Sequence, residues 1–117
     1  MKPEAVEYLR AGLKAVSLRQ TVIANNIANL HTPDFRRGEV RFESLLADAL
    51  KFDSSAAPDA VGPEVFRSMT DEPDAQGNDV SLEVEMGELI KNSSMQKAYL
   101  RLLGKLMKQM EMAIQAG

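Results

Sequence analysis

Glu72, Asp74 and Gln76 alternate along the chain, Gly77 follows, and Glu83 stands six residues beyond that glycine. Alternating oxygen donors, a turn glycine and a closing bidentate glutamate are what a calcium loop uses to surround its ion. The run departs from that scheme at Glu72 and Gln76, where shorter acidic or amide side chains are usual, and Pro73 intrudes. An acidic, solvated turn ahead of a helix is the simpler reading. The other reactive types are sparse. The absence of Cys excludes disulfides, Cys-ligated zinc, iron–sulfur clusters and thiol catalysis. His31 is the only histidine, so a His-based metal site or a Ser-His-Asp triad would need a second chain. No catalytic residue, metal ligand or cofactor site is assigned, and the chain reads as a non-enzyme. Arg36, Arg37 and Arg41 form a small basic cluster after Pro33, either a solvated loop or one half of ion pairs to a neighbouring acidic surface. A pI near 5.2 and a net charge of −3 argue against general nucleic-acid binding.

The elements that would position these residues are helical. Val6, Leu9, Leu13, Val16, Gln20, Ile23, Ile27 and Leu30 follow one another at alternating steps of three and four, and seven of the eight are apolar. That is a heptad seam. Pro3 suits a first helical turn, Glu4 and Glu7 favour the positive helix end, and Thr32-Pro33 should stop the helix. The spacing predicts a helix over 4–30, about 40 Å long at 1.5 Å per residue. Leu82, Met86, Leu89, Ser93, Gln96, Leu100, Leu103, Met107, Met110 and Ile114 form a second seam, widened by Ile90, Leu102 and Leu106. Ser81 is a candidate N-cap, with Glu83, Glu85 and Glu88 early and Lys91, Lys97, Arg101, Lys105 and Lys108 late, in the order the helix dipole favours. A helix over 81–115 is expected, about 50 Å long.

Between them lies a connector, 31–80. Residues 58–79 carry Arg67 against six acidic residues, net −5, together with Pro58, Gly62, Pro63, Pro73 and Gly77. Such composition marks irregular chain, mobile or exposed over 53–79. Phe42, Leu45, Leu46, Ala49, Leu50 and Phe52 would suit a short helix near 42–51. The expected fold is all-α: one elongated unit, 1–117, of two long terminal helices in a coiled-coil-like pair, antiparallel or bent. Two helices cannot cover both apolar stripes, so either other chains complete the core or the short helix makes a compact bundle. Asn25, Asn26 and Asn29 sit in a helical stretch although Asn is a mediocre helix former; they read either as exposed polar positions beside the seam or as side chains that hydrogen-bond across a helix interface. The seven Met residues read as adaptable packing groups, with Met86, Met107 and Met110 on the second seam. No stretch is long and apolar enough to span a bilayer, and the charged first residues do not resemble a signal peptide. The default is a soluble cytoplasmic chain, which an export route without a cleaved signal would override.

Ala24-Asn25-Asn26-Ile27-Ala28-Asn29-Leu30-His31-Thr32-Pro33-Asp34-Phe35 resembles the signature near the N-terminus of bacterial flagellar rod and hook proteins. Asp34 stands where many members have Gly, a residue that reaches positive φ more easily. The following Arg36–Glu43 run and the block Gly77-Asn78-Asp79-Val80-Ser81-Leu82-Glu83-Val84-Glu85-Met86 are similar to the short, proximal-rod members. The resemblance covers roughly 5–52 and 76–115. It implies a structural subunit of the basal-body rod, in the periplasmic space, exported unfolded by the flagellar type III apparatus. It implies further copies and the rod proteins FliE, FlgC, FlgF and FlgG as neighbours, and no membrane insertion. The motif residues carried over are Asn25, Asn26, Ile27, Asn29, Thr32, Pro33 and Phe35. The seams expected to carry assembly are Val6, Leu9, Leu13, Val16, Ile23 and Leu30 on the first helix, with Leu82, Met86, Leu89, Leu100, Leu103, Met107, Met110 and Ile114 on the second. A non-flagellar homo-oligomeric helical adaptor is the competing reading.

Overall fold

The computed structural model describes residues 3–52, 62–67, 69 and 72–116. Its elements run α1 (Pro3–Ala28), β1 (Gly38–Arg41), α2 (Glu43–Phe52), β2 (Glu64–Arg67) and α3 (Leu82–Ala116). The fold is mostly helical, as the periodicity indicates, with a small sheet that the periodicity does not reveal. The long axis measures 65 Å against 29 and 14 Å for the others, so the molecule is a thin rod.

α1 and α3 run antiparallel. Asn26 meets Glu85, Val16 meets Asn92 and Gly12 meets Tyr99, so the partner number rises as α1 is read backwards. The close approach depends on small residues. A Cβ at Gly12 would stand 2.8 Å from Cζ of Tyr99. Ala15 is fully buried, and Ala11, Ala15 and Phe42 form a core cluster with Leu46 against it. Phe42 thus seats the start of α2 on α1, and burying a Phe contributes roughly 1.5–3 kcal/mol. The short third helix therefore forms and packs; the side chains of Ala49, Leu50 and Phe52 lie outside the described residues.

Three expectations are corrected. α1 stops at Ala28, two residues before the expected end and well before Pro33. The connector, expected to be irregular apart from a short helix, also carries a ribbon: β1 pairs with β2 in antiparallel register, Gly38 opposite Arg67 and Arg41 opposite Glu64. Alternate side chains of that ribbon stack as cation–π pairs, with the Arg41 guanidinium 4.4 Å from the Phe66 ring centre and Arg67 5.2 Å from Phe35. Finally, 53–79 is not exposed throughout, because Asn78 and Asp79 are buried; residues 53–61, 68, 70 and 71 lie outside the described residues. Ser81 serves as the cap of α3, its Oγ accepting from Val84 N at 3.5 Å while its carbonyl accepts from Glu85 N at 2.9 Å.

Candidate functional site: a cross-tied junction and an uncovered helix face

The last turn of α1 leaves carbonyls without helical partners. Those of Asn25, Asn26 and Ile27 are met locally, by the N–H groups of Asn29 and Leu30, and the turn beyond them is tied from afar. The Asn78 side-chain amide donates to the carbonyls of Asn29, at 2.9 Å, and Thr32, at 2.8 Å, while its Oδ1 accepts from Val80 N. Nearer at hand, Asn29 Nδ2 donates back to the Asn25 carbonyl at 2.8 Å, and Thr32 Oγ1 donates to Asn29 Oδ1 at 3.0 Å. The chain then reverses at Asp34, whose φ of 61° is left-handed. Its N–H donates to the Gln76 carbonyl at 2.9 Å, and Gly77, with φ 82°, lies so close that any Cβ there would strike Asp34 Oδ1. Both sides of this contact thus adopt a conformation that Gly favours, and only one of them is Gly.

Asp74 shapes the opposing loop. Its Oδ1 accepts from Gln76 N at 2.8 Å and Asn78 N at 3.0 Å. The alternating acidic run is therefore a side-chain-capped turn, the simpler of the two readings of that segment.

Beneath the turn lies a buried polar network. Asn26 Nδ2 donates to the Gly38 carbonyl and to Glu85 Oε2, both at 3.0 Å, and its Oδ1 accepts from Gly38 N at 2.8 Å. Arg37 Nε donates to Glu85 Oε1 at 2.6 Å, and its guanidinium also pairs with Glu39. Arg37 N donates to Asp79 Oδ1 at 2.6 Å, while Arg36 Nε lies 3.4 Å from Asp79 Oδ2. Burial alone would lower the Arg37 pKa, but the Glu85 and Glu39 carboxylates outweigh it and hold the pKa above its ordinary value. Glu85 is fully buried. A buried carboxylate needs such partners, because losing one strands a charge in low dielectric. The basic cluster is thus neither a solvated loop nor a set of free hands for a neighbour: Arg37 is spent within the chain, and Arg41 lies on Phe66.

A second tie stands further along. Asn92 donates to the Val16 carbonyl at 2.9 Å. On the α2 side, Arg19 holds Glu43 through Oε2 at 2.7 Å and Oε1 at 3.1 Å and reaches the Val40 carbonyl at 3.2 Å. Burial tends to raise the Glu43 pKa, but the Arg19 hydrogen bonds, its own backbone N–H and nearby positive charge bring the carboxyl below its usual range. Burial and the Glu43 charge push the Tyr99 phenol up.

The apolar seams divide. Glu85, Asn92, Tyr99 and Leu106 recur every seventh residue and mark the side of α3 turned to α1. Leu89 and Leu103 flank that side and are half-buried. The next series round, Met86, Leu100, Met107 and Ile114, about 100° away, is exposed. Leu82 and Met110 are exposed too. On α1, Val16 and Ile23 are buried while Val6, Leu9, Leu13 and Ile27 are half-buried, as is Leu30 just beyond the helix. Among the motif residues, Asn26 is buried in the network, Phe35 is half-buried under Arg67, and Asn25, Thr32 and Pro33 are exposed. His31 is exposed in the turn. Residues that the periodicity passes over do most of the tying: Gly12, Arg37, Asn78, Asp79, Glu85 and Asn92. Three of these, Asn78, Asp79 and Glu85, lie in the 77–86 block; its resemblance is the signal that marks them. The polar atoms at the junction are engaged mainly with one another, so the arrangement positions chain segments.

A model of the flagella basal body rod protein family matches residues 9–36, from the second turn of α1 to Arg36 at the edge of the network. The chain is 31% identical over 97 residues to the flagellar basal body rod protein FlgB of Bacillus subtilis, with 74% of each chain covered. It is 47% identical over 45 residues to FlgB of Borreliella burgdorferi and 48% over 46 residues to FlgB of Borrelia hermsii. Those two matches cover 38% and 39% of this chain and about a third, 33% and 34%, of the relatives' own lengths.

Proposed function

Since the chain belongs to the FlgB flagellar basal body rod proteins, we propose that it is a structural subunit of the bacterial flagellar rod, assembled through its terminal helices into the proximal part of the drive shaft. The observation that supports this best is the uncovered face of α3: a 35-residue helix whose Met86, Leu100, Met107 and Ile114 remain exposed after α1 has packed. An apolar stripe of that length on a thin rod calls for neighbours. A head-to-tail contact that does not close generates a helical assembly, and packed helices supply the stiffness a shaft needs. In this reading α1 and α3 work as a coiled-coil-like pair within the assembled wall, joined by the 31–80 connector. Further copies and the other rod proteins FliE, FlgC, FlgF and FlgG lie against it, in the periplasmic space, after type III export without a cleaved signal. The function is mechanical and calls for no reaction.

The test replaces Leu100 and Met107 by Glu. Both are exposed, so the isolated chain should keep its helicity by circular dichroism. Purified basal bodies should contain none of the variant, and cells should not swim. Normal motility would sink the reading.

A further inference from the structure

The seven Met residues are unevenly spread: five lie on α3, and four of those are open. Met86 is 51% exposed, Met107 59%, Met110 44% and Met112 59%. Folding therefore shields none of these four thioethers. Met86 and Met107 share one heptad series with Leu100 and Ile114, so they lie within the apolar stripe rather than beside it. Met110 continues the series of Leu89 and Leu103 onto the last turns of α3, where residues 107–116 are all exposed. Apolar packing at these positions is conditional on sulfur oxidation state, because a sulfoxide is polar and chiral where the thioether was apolar and pliable.

We propose that Met86, Met107 and Met110 form a modification site at which hydroperoxides convert an assembly-competent subunit into an assembly-incompetent one. The inference rests on the rod-subunit reading. In the step, the thioether sulfur attacks one peroxide oxygen. An S–O bond forms, the O–O bond breaks, Met loses two electrons, and hydrogen peroxide leaves as water. No thiol competes within the chain, since it has no Cys. Oxidation before assembly places S=O groups where an apolar neighbour must settle; once a neighbour has settled, the stripe is covered and the sulfurs are protected.

The experiment compares cells making the wild-type chain with cells making M86L/M107L/M110L, each with and without sublethal hydrogen peroxide. Basal bodies are purified, and sulfoxide at each Met is quantified by mass spectrometry in the assembled and unassembled pools. The assembled wild-type pool should be depleted of sulfoxide at Met86 and Met107 by about tenfold relative to the unassembled pool, the discrimination that burying an unpaired polar group commonly produces. The Leu variant, near in volume and confined to exposed positions, should assemble equally with and without peroxide. Equal sulfoxide fractions in the two pools, or a peroxide-sensitive Leu variant, would overturn the inference. Absence of the wild-type chain from basal bodies without peroxide would instead overturn the rod-subunit reading.

Discussion

Asn78 ties down the turn that follows α1: its side-chain amide lies 2.9 Å from the carbonyl oxygen of Asn29, 49 residues earlier in the chain. Helix ends are usually capped by their own neighbours. The last turn of α1 is met in that way, by the N–H groups of Asn29 and Leu30, while the segment that leads into α3 adds a long-range tie to the turn beyond it. N78A should cost about 2 kcal/mol, because it loses three side-chain hydrogen bonds, two of them to carbonyls that keep only a backbone donor. Urea unfolding measures this, and an unchanged midpoint would count against the tie.

Asn26 offers a sharper substitution. N26D keeps the shape, removes both donors and sets a carboxylate against Glu85, which is already fully buried. The expected loss is about 3–5 kcal/mol at neutral pH, the scale of a broken buried pair. The variant should recover part of that loss when the pH is lowered enough to protonate one of the two carboxyls. Thermal melts at neutral and acid pH give both readings; a variant that melts with the wild type would contradict the network.

Glu43 predicts an acid limb. Its folded pKa is depressed, mainly by Arg19 working against burial. A depressed carboxyl contributes stability that is present above its unfolded pKa, near 4.3, and lost as pH falls through the folded value. The pair is partly exposed, with Glu43 47% accessible, so the effect is modest. E43Q should melt lower than the wild type at pH 7, and the gap should close as the pH drops below about 4. A gap independent of pH would exclude this origin.

Asp34 holds a left-handed φ of 61° against Gly77. D34G removes the clash between its Cβ and backbone at that conformation, a cost of roughly 1–2 kcal/mol, and gives back somewhat less through a looser unfolded chain. A small net gain, up to about 1 kcal/mol, should appear as a higher melting temperature. A lower one would mean that the Asp34 side chain contributes more than its backbone conformation costs.

Much of this architecture can be read from periodicity alone. Both long helices, the Ser81 cap and the short helix after Phe42 follow from local spacing and from residues a few positions apart. What cannot be read that way is chemistry that joins distant segments. Arg37 and Glu85 are 48 residues apart and each looks like an ordinary surface charge in its own neighbourhood. β1 and β2 are four residues each, too short to show alternation, and they pair across a separation in sequence that includes the whole of α2. The seam register is instructive for a different reason. Apolar spacing locates Met86, Leu100 and Met107 on one line, but it does not say which neighbour that line meets. Within the chain α1 takes the adjacent line instead, through Glu85, Asn92 and Tyr99, because Gly12 and Ala15 let it come close there and polar ties hold it.

Those ties are gathered at one end. The described hydrogen bonds between α1 and α3 run from Glu85 to Asn92, and further along Tyr8, Leu9, Leu102 and Leu106 line a shared groove between the two helices. The hairpin is therefore built like a tuning fork: a stem clamped by polar ties at the junction and two tines that carry none of the described ties. A load on the last turns of α3 is delivered to the stem as a bending moment, and the network around Arg37 and Glu85 is where it is borne.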